Sequence, residues 1–365
     1  MPISEKKLRD RITREPFRLM EEGGEMKTRV LILLEVLVIA VLILGGFATT
    51  TSAAVPATFK WSFQGQADNT AESAWASEQR NLGDRVRAAT NGQVDITYVS
   101  GVCPDTQVLD TVKAKKLNLG FMGVHYKPDM ALMNFPSLPI VPNDRLPEIL
   151  ALLKPRFDAL WQTQWGVKML AFNYYLPQLL YTAKPADTLE NLRPQRIRQF
   201  GSDLLNLYTR AGCTPVGIQS VQAVQQNLID GKIDGAQGGL PAYVNWGWAE
   251  RLKYISKWPL GSVYMALVVN MEEWNALTPD LQQKVLKAAE DLEKNQWKGR
   301  QAYIDSLLNE ALTRYGAKVM NPPQAEVDKL LANVDPVLEG WKKKIGPDSA
   351  MIFEAINNVL GTNYK

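Results

Sequence analysis

Apolar segments with the pattern of strands alternate with amphipathic helical segments along residues 58–122, and this order limits the folds open to the chain. The predicted elements are strands at 58–63, 94–99 and 117–122 and helices at 74–89 and 105–116. Strands that alternate with helices favour a parallel sheet covered by helices. The same order returns at residues 167–231, so the sequence predicts an α/β fold with two lobes.

The predicted elements of the second half are strands at 167–172, 178–182, 196–199 and 214–218 and helices at 202–211 and 221–231. Two later segments connect the two lobes. Residues 263–270 carry no charge and read as a buried strand that returns to the first lobe. Thr278 and Pro279 suit the first positions of a helix that runs past Leu308 and is long enough to span both lobes. Two lobes joined in this way form a cleft that closes by hinge motion.

The composition excludes several kinds of chemistry. The chain has one histidine, His125, and two cysteines, Cys103 and Cys213. A histidine triad or a zinc site would depend on His125, and no cysteine pair has metal-ligand spacing. Gly120–Gly123 lacks the third glycine of a dinucleotide loop. The formal charge of +3, without a concentrated basic patch, argues against nucleic-acid binding. We predict no cofactor and no metal. Cys103 and Cys213 are either two separate thiols, which we favour, or a disulfide.

Residues 26–54 have the order of a secretory signal peptide. Lys27 and Arg29 precede the apolar stretch 30–47, and small residues follow as far as Ala54. We expect cleavage after Ala53 or Ala54, with residues 1–25 as an extension from a misassigned start. The alternative is an uncleaved membrane anchor, because the apolar stretch approaches spanning length. Either form places the rest of the chain outside the cytoplasm, in the periplasm.

Five segments together resemble the solute-binding proteins of TRAP transporters, the tripartite ATP-independent periplasmic systems. They are residues 90–96 (TNGQVDI), 135–139 (FPSLP), 189–198 (LENLRPQRIR), 227–235 (NLIDGKIDG) and 277–283 (LTPDLQQ). Their order along the chain carries more weight than any one motif. The resemblance implies a two-lobed periplasmic-binding-protein fold, with lobe I at 55–175 and 264–303 and lobe II at 176–263 and 304–365.

The resemblance also implies a site. Arg198 matches the arginine that grips the ligand's carboxylate in this family, and its planar fork of donors suits that group. A surface salt bridge is the alternative role. Gln178 stands where several members carry a second arginine, and Gly238 where an asparagine contacts the ligand. Because both changes remove polar or charged groups, we expect a monocarboxylate with an apolar or aromatic body.

Further candidates flank the inferred cleft. Asn173 and Tyr175 lie at the start of the lobe crossing, Trp246 follows the 227–235 motif, and Tyr264 opens the returning strand. Aromatic side chains offer flat apolar faces with a polar handle, although core packing explains each one equally well. His125 follows the third strand, where it either donates to the ligand or has a structural role.

The predicted function is therefore capture of a small organic acid and its delivery to TRAP membrane permease subunits, without chemistry. We expect a monomer or a weak dimer. The alternatives are a receptor of an ABC-type or signalling system and an extracytoplasmic hydrolase that uses carboxylates such as Asp68 or Asp105.

Overall fold

A computed structural model describes residues 58–65, 74–200, 209 and 211–364 of the chain. The predicted signal peptide and most of the helix predicted at 202–211 lie outside these residues. Within the described residues, no helix combines the length and the apolar character needed to cross a membrane.

The elements follow the predicted alternation. The strands are β1 (Phe59–Gln64), β2 (Val94–Val99), β3 (Leu119–Gly123), β4 (Val167–Pro177), β5 (Leu179–Thr182), β6 (Arg196–Gln199), β7 (Thr214–Gly217), β8 (Gly235–Gly238), β9 (Tyr254–Ser256), β10 (Ser262–Asn270) and β11 (Lys318–Met320). The α-helices are α1 (Ala74–Ala89), α2 (Val108–Lys113), α3 (Leu146–Trp165), α4 (Leu189–Leu192), α5 (Val221–Ile229), α6 (Leu240–Asn245), α7 (Met271–Ala276), α8 (Pro279–Thr313), α9 (Gln324–Leu331), α10 (Val334–Ile345) and α11 (Ser349–Leu360).

The described strands form two sheets. The first has the order β2-β1-β3-β10-β4 and the second the order β11-β9-β5-β8-β6-β7. Strand β1 runs parallel to β2 and β3, as predicted, but β10 runs antiparallel to β3 and β4. In the second sheet β6 is parallel to β7 and β8, while β5 is antiparallel to β8 and β9. The sheets are therefore mixed rather than purely parallel. The chain crosses between them twice here, from β4 in the first sheet to β5 in the second, and from β9 in the second sheet to β10 in the first.

Strand β10 and helix α8 tie the two lobes together. Alternate residues of β10 pack into clusters on opposite faces of the first sheet, with Ala266 in one and Leu267 in the other. Helix α8 begins as predicted, since the Thr278 side chain accepts a hydrogen bond from the Leu281 amide and Pro279 follows it. Its first half packs on the first sheet and its second half on the second. The fold is thus two-lobed α/β with a long helix common to both lobes.

The C-terminal helices, which the prediction assigns to lobe II as part of residues 304–365, pack against both sheets. Trp341 of α10 and Ile352 of α11 pack with α3 in a cluster of the first sheet. Leu330 and Val337 pack instead in a cluster of the second sheet. The C-terminal segment therefore contacts both sheets, and the lobe boundaries stay a prediction.

Candidate functional site

The arginine at the centre of the site is placed by a short strand of the second sheet. Arg198 lies on β6, with its Cα opposite Val216 of β7 and Ala236 of β8. Its neighbour Ile197 points to the other face of the sheet and packs in a hydrophobic cluster. Arg198 is only 1% exposed, so its guanidinium is inside the protein rather than in open water. An arginine this deeply buried has a specific role in the structure or in binding.

Three backbone carbonyls hold the Arg198 guanidinium in a fixed plane. Nε donates to the carbonyl oxygen of Ile218 at 2.8 Å, Nη1 to that of Gln237 at 2.7 Å, and Nη2 to that of Gln219 at 3.0 Å. These acceptors follow the carboxyl end of β7 or belong to β8. Because carbonyls are neutral, the three bonds orient the positive charge without cancelling it.

Two aromatic rings border the same guanidinium. The Cζ atom of Arg198 lies 4.6 Å from the centroid of the Phe200 ring and 5.6 Å from that of Trp248. Both distances are within the range of a cation–π attraction. Trp248 is fully buried, and its indole Nε1 donates to the Val221 carbonyl oxygen at 3.3 Å. The rings exclude water from the charge and thereby strengthen its electrostatic interactions.

Gly238 and Gln178 share one edge of the second sheet with Arg198. Gly238 ends β8, and its Cα lies opposite Leu179 at the start of the antiparallel β5. Gln178 directly precedes Leu179, is 2% exposed, and donates its backbone amide to the Gly261 carbonyl oxygen at 3.1 Å. Since β6 ends at this same edge, three sequence-predicted residues converge there.

His125 brings the first lobe to this edge. It follows β3, and the centroid of its ring lies 5.1 Å from that of Phe200, nearly edge to face. Burial and the nearby charge of Arg198 lower the pKa of His125 to about 3. The imidazole is therefore neutral at physiological pH, and the positive charge of Arg198 does not gain a second cation beside it.

The other predicted residues lie elsewhere or are only partly described. Tyr264 is fully buried in a core cluster of the first sheet, edge to face with Phe172 at 5.2 Å. Asn173 is buried on β4, paired with Met265 of β10. Trp246 packs on the same second-sheet cluster as Trp248. Tyr175 also lies on β4, and its side chain is outside what the structure describes.

Phe200 and the three carbonyls are site features that the sequence did not point to. Phe200 stands two residues after Arg198, just beyond the end of β6, where continued alternation of the strand puts it on the same side as Arg198, and this was a usable signal. A carbonyl acceptor has no sequence signature, because every residue carries one. Trp248 lies two residues after the predicted Trp246, but the sequence did not indicate its contact with the guanidinium.

The arrangement is suited to binding an anion. It offers a buried, fixed guanidinium, a neutral histidine and aromatic walls at the place where the two lobes meet. Among the described residues, no group of three or more His, Cys, Asp or Glu side chains is placed to hold a metal ion.

Both cysteines are free thiols, and burial raises the pKa of Cys213 to about 12.

A protein-family model matches most of the chain. The model of bacterial extracellular solute-binding protein family 7, DctP, covers residues 67–344. The chain belongs to this family. Family 7 comprises the solute-binding proteins of TRAP transporters, so the resemblance of the five sequence segments is confirmed.

Solved structures of family 7 proteins share the fold at low sequence identity. DctP7 of Bordetella pertussis, an extracytoplasmic solute receptor binding pyroglutamic acid, is 21% identical, with 82% of this chain and 99% of that chain covered and a TM-score of 0.72. A TRAP periplasmic solute-binding protein of Pseudomonas putida F1 with bound D-glucuronate is 17% identical and has a TM-score of 0.71. The match covers 84% of this chain and 98% of that chain. A TRAP periplasmic solute-binding protein of Desulfovibrio salexigens with bound orotic acid is 14% identical and has a TM-score of 0.73. The match covers 83% of this chain and 99% of that chain. At these identities the likeness establishes the two-lobed fold.

Proposed function

We propose that this family 7 protein captures a small organic acid with one carboxylate through Arg198 and delivers it to the membrane permease subunits of a TRAP transporter. The observation that carries the proposal is the buried guanidinium, which neutral carbonyls hold in place. Burying a charge is costly unless the charge is paired and hydrogen-bonded. A ligand carboxylate would supply an opposite charge for this guanidinium.

A carboxylate fits this group better than other anions of similar size. A guanidinium presents parallel N–H donors to the two oxygens of a planar carboxylate, and it stays charged throughout the physiological pH range. Phe200 and Trp248 keep the site dry, which strengthens the pairing. His125 is neutral and supplies a hydrogen-bonding group without a competing charge. We therefore assign His125 as a ligand contact from the first lobe.

The residues around Arg198 favour a single carboxylate. Gln178 contributes a neutral amide and Gly238 no side chain at the sheet edge next to the guanidinium. A second carboxylate on the ligand gains no charged partner from either residue. Asn173, Tyr175, Trp246 and Tyr264 remain predictions as further contacts with the body of the ligand.

The ligands of the similar structures are consistent with this class. Pyroglutamic acid, D-glucuronate and orotic acid each carry one carboxyl group on a compact ring. These three acids form a panel of compounds to be tested for binding, and none of them is assigned as the ligand of this protein. The panel also needs 2-pyrrolidinone, which keeps the ring of pyroglutamate but lacks the carboxyl group, and succinate, which has two carboxyl groups.

Thermal-shift and calorimetric titrations of this panel test the proposal. A ligand that binds only the folded protein raises its melting temperature. We expect one or more monocarboxylates to bind, 2-pyrrolidinone not to bind, and succinate to bind more weakly. In Arg198→Met, affinity for the bound acid should fall by about 100-fold or more, as expected when two charge-assisted hydrogen bonds are lost.

The matched control is Arg196→Met, two residues earlier on the same strand. Arg196 pairs with Asp234 through Nε and Nη2 at 2.9 and 2.8 Å, on the partly exposed surface. We expect its removal to change affinity by less than about threefold, since surface pairs contribute little. Equal affinity of wild type and Arg198→Met for a binding acid would refute the role of Arg198.

The transport role and the location of the protein have their own tests. We propose that the acid is released unaltered, so mass spectrometry of the bound acid should show no conversion. If the signal peptide is cleaved as predicted, the mature protein should begin at Ala54 or Val55, which intact-mass measurement will show. Uptake into proteoliposomes that contain TRAP permease subunits should require this protein, whereas uptake with an ABC permease should not occur.

A further inference from the structure

The indole of Trp248 occupies the space that a side chain at position 238 would need. A Cβ atom added to Gly238 would lie 2.7 Å from Cζ3 and 2.9 Å from Cη2 of Trp248, well inside van der Waals contact. The same Cβ would lie 3.9 Å from Nη1 of Arg198. Glycine is therefore required at this point of β8 by the position of one buried ring.

That ring has little freedom to move away. Trp248 is 0% exposed, and its Nε1 donates to the Val221 carbonyl oxygen. On one side its ring meets the Tyr181 ring edge to face at 6.2 Å, and Tyr181 is stacked on Tyr243 at 4.2 Å. Displacing an indole held in this way disturbs a close-packed core. A side chain at position 238 thus acts on Trp248 and, through it, on Arg198.

Trp248 also contributes directly to the position of the guanidinium. The centroid of its ring lies 5.6 Å from the Arg198 Cζ atom, and the Gln237 carbonyl that accepts from Nη1 at 2.7 Å belongs to the residue before Gly238. The indole, the β8 backbone and the guanidinium therefore form one packed unit. A displacement of about 1 Å in such a unit is enough to misalign the guanidinium with a bound carboxylate.

We propose that Trp248 is the positioning residue for Arg198, and that Gly238 serves the same task by leaving room for the indole. The inference rests on the proposed acid-binding role of Arg198. It adds that affinity and selectivity for the acid depend on a pair of residues that need not contact the ligand. It also makes positions 238 and 248 energetically coupled, because each sets the space available to the other.

A double-mutant cycle of Gly238→Ala and Trp248→Phe measures this coupling. The probe is pyroglutamate, titrated calorimetrically, and melting temperatures show that each variant is folded. In the wild-type background Gly238→Ala should weaken binding by about tenfold or more. In the Trp248→Phe background, where the smaller ring leaves room for a methyl group, the same change should cost less than about threefold. Trp248→Phe alone should weaken binding by about two- to fivefold.

Three matched variants separate positioning from general destabilisation. Gly217→Ala lies on β7 of the same sheet, where an added Cβ meets nothing within 4 Å, and should leave affinity unchanged. Gly235→Ala lies on β8 itself, where the Cβ would be 2.6 Å from the Tyr181 carbonyl oxygen. It should lower the melting temperature without a selective loss of affinity in the folded fraction. Trp258→Phe removes part of another buried indole of the second sheet and should not rescue Gly238→Ala.

A crystal structure of ligand-free Gly238→Ala gives an answer that does not depend on the probe. The proposal predicts a displaced Trp248 ring and loss of the 2.7 Å bond from Arg198 Nη1 to the Gln237 carbonyl oxygen. An unmoved guanidinium, or an equal cost of Gly238→Ala in both backgrounds, would overturn it. If Arg198→Met binds acids normally, the proposed function fails instead, and the displacement in Gly238→Ala still decides whether Trp248 positions Arg198.

Discussion

Strand β10 and the carboxyl ends of β6 and β8, called here the β6–β8 edge, are equally buried but differ in the side chains they bury. Every residue of β10 is buried, and residues 263–269 are apolar apart from the hydroxyl of Tyr264. At the β6–β8 edge, Arg198, Gln199 and Gln237 are no more than 1% exposed and are all polar. The first region stabilises the fold by removing apolar surface from water. The second keeps polar groups inside the protein, and burial of polar groups without hydrogen bonds lowers stability.

A row of polar side chains shows how large this cost is. Ser256, Leu180 and Gln237 lie side by side on neighbouring strands, and Gln199 ends β6, which pairs with β8 through Ile197 and Arg198. Ser256 Oγ, both amide atoms of Gln237 and Gln199 Oε1 have no hydrogen-bond partner among the residues that the structure describes. Each such atom costs about 1–3 kcal/mol when it is buried. On β10 the corresponding atoms are the hydroxyl oxygens of Ser262 and Tyr264 at the start of the strand, and residues 265–269 carry apolar side chains only.

The largest expected effect lies in β10. Leu267→Ala should lower the free energy of unfolding by about 2–5 kcal/mol, because Leu267 is fully buried in a packed cluster. Chemical denaturation measures this loss. The control, Leu152→Ala on an exposed part of α3, should change stability by less than about 0.5 kcal/mol. A loss below about 1 kcal/mol for Leu267→Ala would remove the contrast between the two regions.

The second prediction concerns the chain's single histidine. The pKa of His125 in the folded protein is about 3, below its ordinary value of 6.5, because of burial and the charge of Arg198. Between these values the unfolded chain binds a proton that the folded protein does not. The contribution of His125 to stability is therefore complete above about pH 6.5 and is lost as the pH falls, by up to ~1.4 kcal/mol per pH unit.

Proton NMR can follow this histidine without ambiguity, since no other is present. Its ring signals should not titrate between pH 8 and pH 5. In Arg198→Met its pKa should rise part of the way towards 6.5, because burial is the larger cause of the shift. A midpoint near 6.5 in the wild type would show that His125 is solvated and not beside Arg198.

The third prediction sharpens the contrast between satisfied and unsatisfied glutamines. The Gln237 amide has no hydrogen-bond partner in the described part of the chain, so Gln237→Met, which substitutes an apolar group of similar shape, should raise stability by about 1 kcal/mol. The control is Gln64→Met. The Gln64 amide donates to the Cys103 carbonyl oxygen at 2.8 Å and accepts from the Val102 and Cys103 amides at 2.9 and 3.1 Å. Its loss should lower stability by about 1–3 kcal/mol.

Denaturation curves of both variants decide this point. If Gln237→Met destabilises the protein as much as Gln64→Met, then Gln237 has a partner in the ligand-free protein. The β6–β8 edge would then be an ordinary hydrogen-bonded core.

The smallest expected effect is at the start of β6. Asp234 accepts hydrogen bonds from the backbone amide, Nε and Nη2 of Arg196, and these lower the pKa of its carboxyl group. Asp234→Asn should cost at most about 1 kcal/mol, because the pair is partly exposed. The lowered pKa means that this contribution is present above an ordinary aspartate pKa and is lost as the pH falls below it. A cost that stays the same at pH 2 and pH 7 would contradict this assignment.

The sequence predicted the elements with a clear pattern. Strand β10 was evident from its uncharged apolar run, and the start of α8 from Thr278 and Pro279. Helix α3 was not predicted, because Pro147 and Pro155 interrupt its pattern. Proline at the first turn is compatible with a helix, and buried leucines on both sides of Pro155 hold the rest in place. Tertiary packing, rather than local preference, decides this segment.

The site was less accessible to prediction than the fold. Resemblance to a family identified Arg198, whereas a single sequence does not distinguish it from a surface arginine such as Arg196. The carbonyls of Ile218, Gln219 and Gln237 became visible only with the fold, because their role depends on strand ends that are distant in sequence. The need for glycine at position 238 likewise depends on Trp248, ten residues away.

A crystal structure of the protein with the acid that binds best tests the central claim most directly. The account predicts the carboxylate oxygens at about 2.7–2.9 Å from the guanidinium nitrogens of Arg198, with His125 and Phe200 closing over the same group. A carboxylate bound elsewhere, with Arg198 bonded as in the ligand-free protein, would contradict it.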